Sequence, residues 1–378
     1  MVNLKNLKNG RNIKTFLILK FFFFFLFFVS VSAFAKIAGD IKLLKYTSEN
    51  CATDLQHLKT WTGNAKIKCS VIKEMPNSSE TKTTLKKEWE DEVEFVIDRS
   101  VNCIRWNRNT LEGFVEEQNE VTKIDPISSG GITNGEYDYI MIPYQKGNER
   151  SPRSIHIENK QFTERNILSD IFDPLYILEN ELGYSKLPEK LRLYFEKAGT
   201  IKNTEGSIEC NGNIITFQII SKAEENSRLG DITLRYIFDI SKGCNLTEFS
   251  NETSNNKRYW SLDYERVDNI FVPKKILMVY ENKRSKSKMI SKREVILVNN
   301  AVNQLVKPEE FEIEKVGLRS GDYILITGNA KEIKYQWLTG TATNQIITSK
   351  AELLEKVKTE AASRKIEKCP LPEKTIEN

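Results

Sequence analysis

The sequence predicts a mainly β protein of the α+β class: a curved antiparallel sheet or unclosed β-barrel, covered by helices and followed by an extra C-terminal helix. Apolar and polar residues alternate over many short segments, which is the period of half-buried strands. Most of these segments follow one another at hairpin spacing, as in an antiparallel meander rather than in βαβ units. Helical periodicity is confined to a stretch ending near Leu58, to residues 163–198 and to residues 350–366.

Residues 1–35 are expected to be a secretory signal peptide. Basic residues without an acidic one precede the apolar run Phe21–Val29, and the segment ends in Ala33-Phe34-Ala35, a pattern that signal peptidase cuts after. The apolar run is shorter than the roughly 20 residues that a membrane-spanning helix needs. We therefore expect cleavage after Ala35, a mature chain with no transmembrane segment, and a periplasmic or secreted location.

Removing this segment changes the charge of the protein. The whole chain has 56 basic and 52 acidic residues, a net charge of +4. Five of the basic residues lie in residues 1–35, so 51 basic residues remain against 52 acidic ones, a net charge of −1. A nearly neutral chain has no overall field that would attract nucleic acid, and this class of partner is excluded. The oligomeric state is left open.

The first strands are predicted where the period becomes two, at residues 65–71 and 89–97. In the second segment, four carboxylates share one side of the strand: Glu88, Glu90, Glu92 and Glu94. We interpret them as a solvated face opposite Lys66 and Lys68 of the neighbouring strand, rather than as a cation site. The glycine-rich segment at residues 128–131 lacks the Lys-Ser/Thr of a phosphate loop and is interpreted as a turn.

The clearest strand lies at residues 232–240, after a hairpin that turns at Asn211-Gly212. A sheet of about ten strands coils because each strand pair twists, so its concave apolar face must be filled by helices or by a ligand. The side chains expected to line a ligand are Ile215, Phe217, Ile232, Leu234, Tyr236 and Phe238.

Three segments are expected along the chain. Residues 1–35 are the signal peptide, and residues 36–326 are a half-barrel β domain with a helical insert at 163–198. Residues 327–378 are a polar tail with a helix at 350–366. Ser349 and Glu352 have the spacing of a capping box at the start of that helix.

Six cysteines follow the signal segment, and export would permit disulfides. The pairs Cys69–Cys103 and Cys210–Cys244 are expected because each joins segments that are close in the chain, with buried free thiols as the alternative. No C-x-x-C motif occurs, so neither a zinc site nor a redox motif is predicted, and no cofactor is expected. N-glycosylation sequons begin at Asn77, Asn245 and Asn251, and their use is left open.

No catalytic residue is assigned. The two histidines, His57 and His156, lie outside any recognisable motif, and G-x-S-x-G, H-E-x-x-H and EF-hand patterns do not occur. The chain is therefore expected not to be an enzyme. Hydrolysis by paired carboxylates is left open as the enzymatic alternative, because spatial proximity cannot be seen in a sequence.

Four local patterns resemble the LolA/LppX-like superfamily of exported lipoprotein and lipid carriers. They are Trp61-x-Gly63, the strand and turn at Arg235–Gly243, the hairpin segment Ile270–Lys274, and the closing Val316-Gly317-Leu318-x-x-Gly321-Asp322. The resemblance implies an unclosed antiparallel barrel wrapped over helices, with acyl chains in its apolar trough and no catalytic residues. It implies an exported, non-catalytic envelope protein that binds a lipid or an acylated lipoprotein partner. The alternative is a structural or protein-interaction module of the envelope without bound lipid.

Overall fold

A computed structural model describes most of the chain after the predicted signal peptide. The described residues are 37–51, 53–76, 82–117, 120–124, 126–134, 137–142, 154–159, 172–198, 203–223, 230–284, 287–316, 318–327, 332–338 and 345–366. The predicted signal peptide, the sequon at Asn77, the first part of the helical insert and Cys369 lie outside these residues. Within these residues, no helix is both long and apolar enough to cross a membrane.

Strands make up most of the described chain. They are β1 (Ile37–Gly39), β2 (Thr60–Pro76), β3 (Lys82–Asp98), β4 (Cys103–Glu117), β5 (Glu120–Lys123), β6 (Ile127–Thr133), β7 (Tyr137–Ile142), β8 (Ser154–Asn159), β9 (Thr204–Asn211), β10 (Ile214–Ser221), β11 (Ile232–Asp239), β12 (Asn245–Thr253), β13 (Asn256–Val267), β14 (Ile270–Arg284), β15 (Ser287–Val302), β16 (Tyr323–Thr327), β17 (Glu332–Trp337) and β18 (Gln345–Ile347). The α-helices are α1 (Ile41–Asn50), α2 (Thr53–Gln56), α3 (Pro174–Leu182), α4 (Leu187–Ala198) and α5 (Lys350–Ile366). The predicted fold class, mainly β with a few helices and a C-terminal helix, is confirmed.

The chain divides into two compact units. Unit 1 contains the described residues within Met1–Thr53, Gly183–Ser261 and Tyr280–Arg284. Unit 2 contains those within Asp54–Leu182, Leu262–Val279 and Ser285–Asn378. The assignment of residues 36–326 to one half-barrel domain stays a prediction.

Unit 1 is built on the antiparallel strands β9, β10, β11 and β12, with β1 added in parallel to β9. Helix α4 packs on β9 and β10 and against α1. Its side chains Leu187, Leu191 and Phe195, four residues apart, are buried because this spacing places them on one helical face. The ring of Phe195 lies 5.6 Å from that of Phe217, and Phe217 lies 5.7 Å from Phe238. Helix α4 thus covers the apolar face of this sheet.

The sheet of unit 2 begins with β15, β2, β3 and β4, which are paired antiparallel over most of their length. One face carries the predicted pairs of lysine and glutamate: Lys66 lies 3.5 Å from Glu92, and Lys68 lies 3.3 Å from Glu90. The interpretation of this face as solvated ion pairs is confirmed. The opposite face carries buried apolar side chains, among them Trp61 and Phe95, whose rings meet edge to face at 5.5 Å.

The glycine-rich segment is a strand, and its prediction as a turn was wrong. Residues 127–133 form β6, which pairs with β4 and with β7. Gly131 lies directly under the indole ring of Trp106, and a Cβ atom at this position would overlap the ring. Glycine is therefore required by the close approach of a buried aromatic ring rather than by a turn.

A second core of unit 2 includes the C-terminal segment. Ile347, Leu353 and Val357 are fully or almost fully buried among apolar residues of β6, β7, β8 and β16. Helix α5 begins as the capping pattern predicts, since the Ser349 Oγ accepts a hydrogen bond of 3.2 Å from the N–H of Glu352. The Glu352 carboxylate accepts from the N–H of Thr348, at 2.9 Å, rather than from that of Ser349.

Asp173 is a buried carboxylate that caps α3. Its Oδ1 accepts a hydrogen bond of 2.8 Å from the N–H of Leu175, and Arg99 Nη2 lies 3.3 Å from its Oδ2. Burial raises the pKa of Asp173, and the Arg99 charge and the N–H groups of the helix offset only part of this effect.

Asp173→Asn is expected to reveal this raised pKa, because asparagine keeps the capping oxygen but does not titrate. The folded protein binds the Asp173 proton more tightly than the unfolded chain does. The wild type should therefore gain stability relative to the variant as pH falls from 7 toward the ordinary pKa of 3.8. Urea unfolding of both proteins across this pH range measures the difference. A difference that stays constant, or that changes in the opposite direction, would contradict the raised pKa.

Candidate functional site

A cleft of about 830 Å³ lies in unit 2, where the strand paired with β4 changes from β6 to β5. Residues 104–110 of β4 pair with β6, whereas residues 114–117 pair with β5. Between them a bulge leaves Leu111 outside the register with β3, since Glu90 lies opposite Glu112 and Asp91 lies opposite Thr110. Bulges bend a strand and redirect its side chains, and this one lies beside the cleft.

The floor of the cleft consists of two rows of side chains across neighbouring strands. The first row runs through β15, β2, β3, β4 and β5 and contains Lys292, Ser70, Glu88, Phe114 and Lys123. The second row contains Glu294, Lys68, Glu90 and Glu112. Residues opposite one another in register point to the same face. Strands are about 4.8 Å apart, so the five positions of the first row span roughly 19 Å.

The wall of the cleft is apolar and partly open to solvent. Leu111 is 43% exposed and Val121 is 65% exposed. Ile124 and Pro126 line the same cleft beside them. Apolar side chains exposed together in a concave site gain free energy when another apolar surface displaces water from them.

The charges of the floor are only partly compensated within the protein. Lys68 pairs with Glu90 at 3.3 Å, and Lys86 pairs with Glu88 at 3.1 Å. Lys275 lies 2.6 Å from Glu294 and lowers the pKa of that carboxyl group. Lys123 and Lys292, the two ends of the first row, form no ion pair among the described residues, and neither does Glu112 of the second row. The charge of Lys292 also helps to lower the pKa of Glu294. The cleft therefore combines an apolar wall with cationic ends.

The cleft contains little that would support catalysis. Its one thiol, Cys69, has a raised pKa because of burial, which disfavours the reactive thiolate at neutral pH. Neither His57 nor His156 lines it. Over the part of the chain that the structure describes, no group of three or more His, Cys, Asp or Glu side chains is arranged to hold a metal ion.

The side chains predicted to line a ligand lie together on one face of unit 1. Ile215, Phe217 and Phe238 are fully buried and Tyr236 is 6% exposed, whereas Ile232 and Leu234 are half-buried at the end of the same strand. The Phe195 ring covers the centre of this group. The structure thus gives them a packing role, and their part in ligand binding stays a prediction.

The cleft of unit 2 was not predicted from the sequence. Its residues come from five strands, and the glutamates of β3 look in sequence like an ordinary solvated face. Leu111 and Val121 are isolated apolar residues within polar stretches, which is the one local signal that could have indicated an exposed apolar site.

The structure does not support the predicted Cys69–Cys103 disulfide. All the described cysteines are free thiols. Cys69 lies opposite Trp89 of β3, and Cys103 lies opposite Asp98 of the same strand. These positions are nine residues apart, about 30 Å along a strand. A disulfide requires Cα atoms within about 7 Å, so the prediction was wrong.

The predicted Cys210–Cys244 disulfide is wrong for a similar reason. Cys210 of β9 lies opposite Ile215 of β10, which lies opposite Phe238 of β11, and Phe238 lies opposite Leu246 of β12. Three strand spacings, about 14 Å in total, separate Cys210 from the strand that follows Cys244. In addition, Cys210 is exposed and Cys244 is buried.

Comparisons with known proteins return only distant structural likenesses. No protein-family model matches the chain, and no curated protein matches it. A LolA superfamily protein from Nitrosomonas europaea is 7% identical, with a TM-score of 0.25 over 72% of this chain and 97% of that one. A domain of a putative outer membrane lipoprotein-sorting protein from Vibrio parahaemolyticus is 9% identical. Its TM-score is 0.20, over 68% of this chain and 92% of that one. Lipovitellin is 8% identical, with a TM-score of 0.24 over 66% of this chain and 26% of its own. Likeness at this level does not assign the chain to a family.

Proposed function

We propose that this protein is an exported, non-catalytic protein that binds a lipid or an acylated partner, and that the cleft of unit 2 holds the amphiphile. The observation that carries the proposal is the wall formed by Leu111, Val121 and Ile124. Beside it lies a floor that ends in two lysines without an ion pair among the described residues. The volume of about 830 Å³ lies within the range of small-molecule sites.

The two parts of an amphiphile match the two parts of the cleft. An acyl chain laid against the apolar wall gains about 0.8 kcal/mol for each CH₂ group removed from water. Micromolar binding corresponds to about 8 kcal/mol, so roughly ten buried CH₂ groups would be needed before ordering costs are counted. An anionic head group would complement Lys123 or Lys292, neither of which is in an ion pair among the described residues.

The cleft favours binding over hydrolysis by paired carboxylates. Three of the four glutamates that line the cleft, Glu88, Glu90 and Glu294, are each in an ion pair with a lysine. The fourth, Glu112, lies opposite Glu90, whose carboxylate is held by Lys68. Hydrolysis of this kind needs one carboxyl group with a raised pKa as the general acid, whereas Lys275 lowers the pKa of Glu294.

A structural or protein-interaction module is the second candidate. The observation that favours it is the packing of unit 1, where α4 covers the apolar face on which a ligand was predicted to lie. Native mass spectrometry after gentle purification separates the two candidates, since a lipid-binding protein should carry or take up lipid.

Lysophosphatidylglycerol, a single-chain anionic lipid, is expected to bind the wild type, and Val121→Glu should weaken its binding at least about tenfold. The added carboxylate would place a charge against the acyl chain and repel the anionic head group. Isothermal titration calorimetry below the critical micelle concentration measures the affinity. Val121 is 65% exposed, so the substitution should leave the fold intact.

Val101→Glu is the matched control, because Val101 is 57% exposed in the same unit and lies outside the cleft. A second variant, Lys123→Glu, should weaken lysophosphatidylglycerol more than the zwitterionic lysophosphatidylcholine if Lys123 holds the head group. Equal binding by the wild type and by Val121→Glu, or no uptake of either lipid, would rule out this cleft as the site.

A further inference from the structure

A second, smaller cavity of about 370 Å³ opens on the same face of unit 2, farther along the strands that form the floor of the cleft. Two further rows of side chains line it. The first row contains Lys66, Glu92 and Asn109, and the second contains Val298, Asn64, Glu94 and Asn107. Successive rows on one face are two residues, or about 7 Å, apart. The cavity therefore adjoins the cleft but has its own lining.

Asparagine is the residue type that distinguishes this cavity, which we call the asparagine pocket. Its four asparagines are Asn64 of β2, Asn107 and Asn109 of β4, and Asn299 of β15. Asparagine is depleted in strands, because its side chain competes with the backbone for hydrogen bonds. Four asparagines from three strands of one sheet therefore need a reason other than strand formation.

A bulge in β15 places Asn299 at the pocket. Residues 298–301 of β15 include one residue more than the segment of β2 with which they pair. Asn299 has a φ of +56°, in the left-handed region that asparagine accepts more readily than most residues. The next residue, Asn300, is held by Trp61 Nε1, which donates to its Oδ1 at 2.9 Å, and by Glu265, which accepts from its Nδ2 at 2.7 Å. The anchored Asn300 thus fixes the bulge that carries Asn299.

One end of the pocket is held by a buried arginine. The Arg105 side chain is 8% exposed, and its Nη2 lies 2.8 Å from Glu94 Oε1 and 3.0 Å from Glu310 Oε2. In the amide orientation that satisfies both of its polar atoms, Asn107 accepts from Arg105 Nη1 at 3.0 Å and donates to the Trp106 carbonyl oxygen at 3.2 Å. Arg105 therefore orients two side chains of the pocket before any ligand enters.

The other asparagines keep hydrogen-bonding groups available for a ligand. The side chains of Asn64 and Asn299 have no hydrogen-bond partner among the described residues. Asn109 Oδ1 accepts from Ser128 Oγ at 2.7 Å, whereas no described residue accepts from its Nδ2. An amide offers a donor and an acceptor side by side, and a hydroxyl group can meet both. The pocket therefore matches a ligand with several neighbouring hydroxyl groups.

The charges of the pocket favour an uncharged ligand. Lys66 lies 3.5 Å from Glu92, and Arg105 is paired with Glu94, so each carboxylate of the lining already has a cation. An anionic ligand would meet these two carboxylates without a free cation among the lining residues. An apolar ligand would cover the amides and leave their donors and acceptors without partners, which costs free energy.

We propose that the asparagine pocket binds a neutral saccharide. Its volume of about 370 Å³ lies in the lower part of the range of small-molecule sites. The hydroxyl groups of the saccharide accept from the amide nitrogens of Asn64 and Asn109 and donate to the amide oxygen of Asn64 and to Glu94. This activity is separate from the binding of an amphiphile in the cleft and does not rest on it.

The test uses three neutral trisaccharides as probes, namely maltotriose, cellotriose and triacetylchitotriose, and the acidic trigalacturonate as a fourth. Saturation-transfer NMR with the whole protein, at millimolar concentrations of each probe and without lipid, detects binding and measures its affinity. The expected result is that at least one neutral trisaccharide binds and that it binds more tightly than trigalacturonate. Absence of binding by all three neutral probes, or a preference for trigalacturonate, would overturn the proposal.

Two variants locate the bound saccharide. Asn109→Leu and Asn64→Leu should each weaken its binding at least about tenfold, because each removes hydrogen bonds and leaves hydroxyl groups of the ligand without partners. Asn109 is exposed, so its substitution should leave the fold intact, as circular dichroism can verify.

Thr122→Leu is the matched control, since Thr122 is an exposed strand residue of the same unit that lines neither cavity. This variant should bind the saccharide as the wild type does. Unchanged affinity in Asn109→Leu and Asn64→Leu would place the saccharide elsewhere and overturn the proposal. None of these outcomes depends on lipid binding in the cleft, so failure of the lipid proposal would be seen separately.

Discussion

Asp91→Ala is expected to lower the free energy of unfolding of unit 2 by about 3 kcal/mol. Asp91 is fully buried on β3. Its carboxylate accepts hydrogen bonds from Arg108 Nε at 3.0 Å and from Thr110 Oγ1 at 2.7 Å, and it also contacts Arg108 Nη2. Removing one partner of a buried ion pair typically costs about 3–5 kcal/mol, because the other charge is left without compensation. The Arg108 side chain is 30% exposed, so water can reach it, and the low end of this range applies.

Chemical denaturation of the whole protein measures this loss, and Glu92→Ala provides a matched control. Glu92 is the next residue of β3, but it lies on the opposite face and pairs with Lys66 in solvent, with 47% of its side chain exposed. An exposed pair contributes about 0–1 kcal/mol, so this variant should be close to the wild type. Arg108→Met in the Asp91→Ala background should recover part of the lost stability, since no buried charge then remains unpaired. Equal effects of Asp91→Ala and Glu92→Ala would contradict this account of the ion pair.

Leu353→Ala is expected to lower the stability of unit 2 by about 2–5 kcal/mol. Leu353 is fully buried in the second core of that unit, which also contains Ile347, Val357 and Phe311. Truncating a buried leucine removes its transfer free energy and leaves a cavity that the surroundings fill only in part. The size of the loss measures how firmly α5 belongs to unit 2.

Leu354→Ala is the control for helix propensity and for the loss of a leucine. Leu354 is the next residue of α5 and is only half-buried, so its truncation should cost clearly less, about 1 kcal/mol. Denaturation curves of the two variants should therefore separate. If both variants have the same free energy of unfolding as the wild type, α5 contributes nothing to the stability of unit 2. The polar composition of residues 327–378 would then describe this segment correctly as a tail.

Much of the strand structure could be predicted because its cause is local. Alternating apolar residues at Ile232, Leu234, Tyr236 and Phe238 predict a strand with one apolar face, whatever its position in the sheet. The hairpin at Asn211-Gly212 follows from the backbone that Gly212 adopts at φ +60°. The start of α5 follows from the hydrogen bond between Ser349 and Glu352, three residues apart. Such features depend on neighbours within a few residues and need no knowledge of the rest of the chain.

The errors concern contacts between residues distant in sequence. The glycines of β6 looked like a turn because the Trp106 ring that covers Gly131 comes from another strand. The cysteine pairs were chosen by closeness in the chain, whereas register places Cys69 and Cys103 far apart along β3. Register is a property of paired strands, so it cannot be derived from the sequence of one strand alone.

The sequence by itself determined the mainly β class, the faces of the strands and the helix at the C-terminus, since these follow from period and from local capping. Only the tertiary structure decided where an open site lies. The apolar face expected to hold a ligand is covered by Phe195 of α4. The open cleft instead lies beside the bulge at Leu111, where apolar side chains of β4 and β5 adjoin two rows of mostly charged side chains. Local pattern shows which side chains share a face but not whether that face is covered. Packing and register between distant residues decide which face stays open to a ligand.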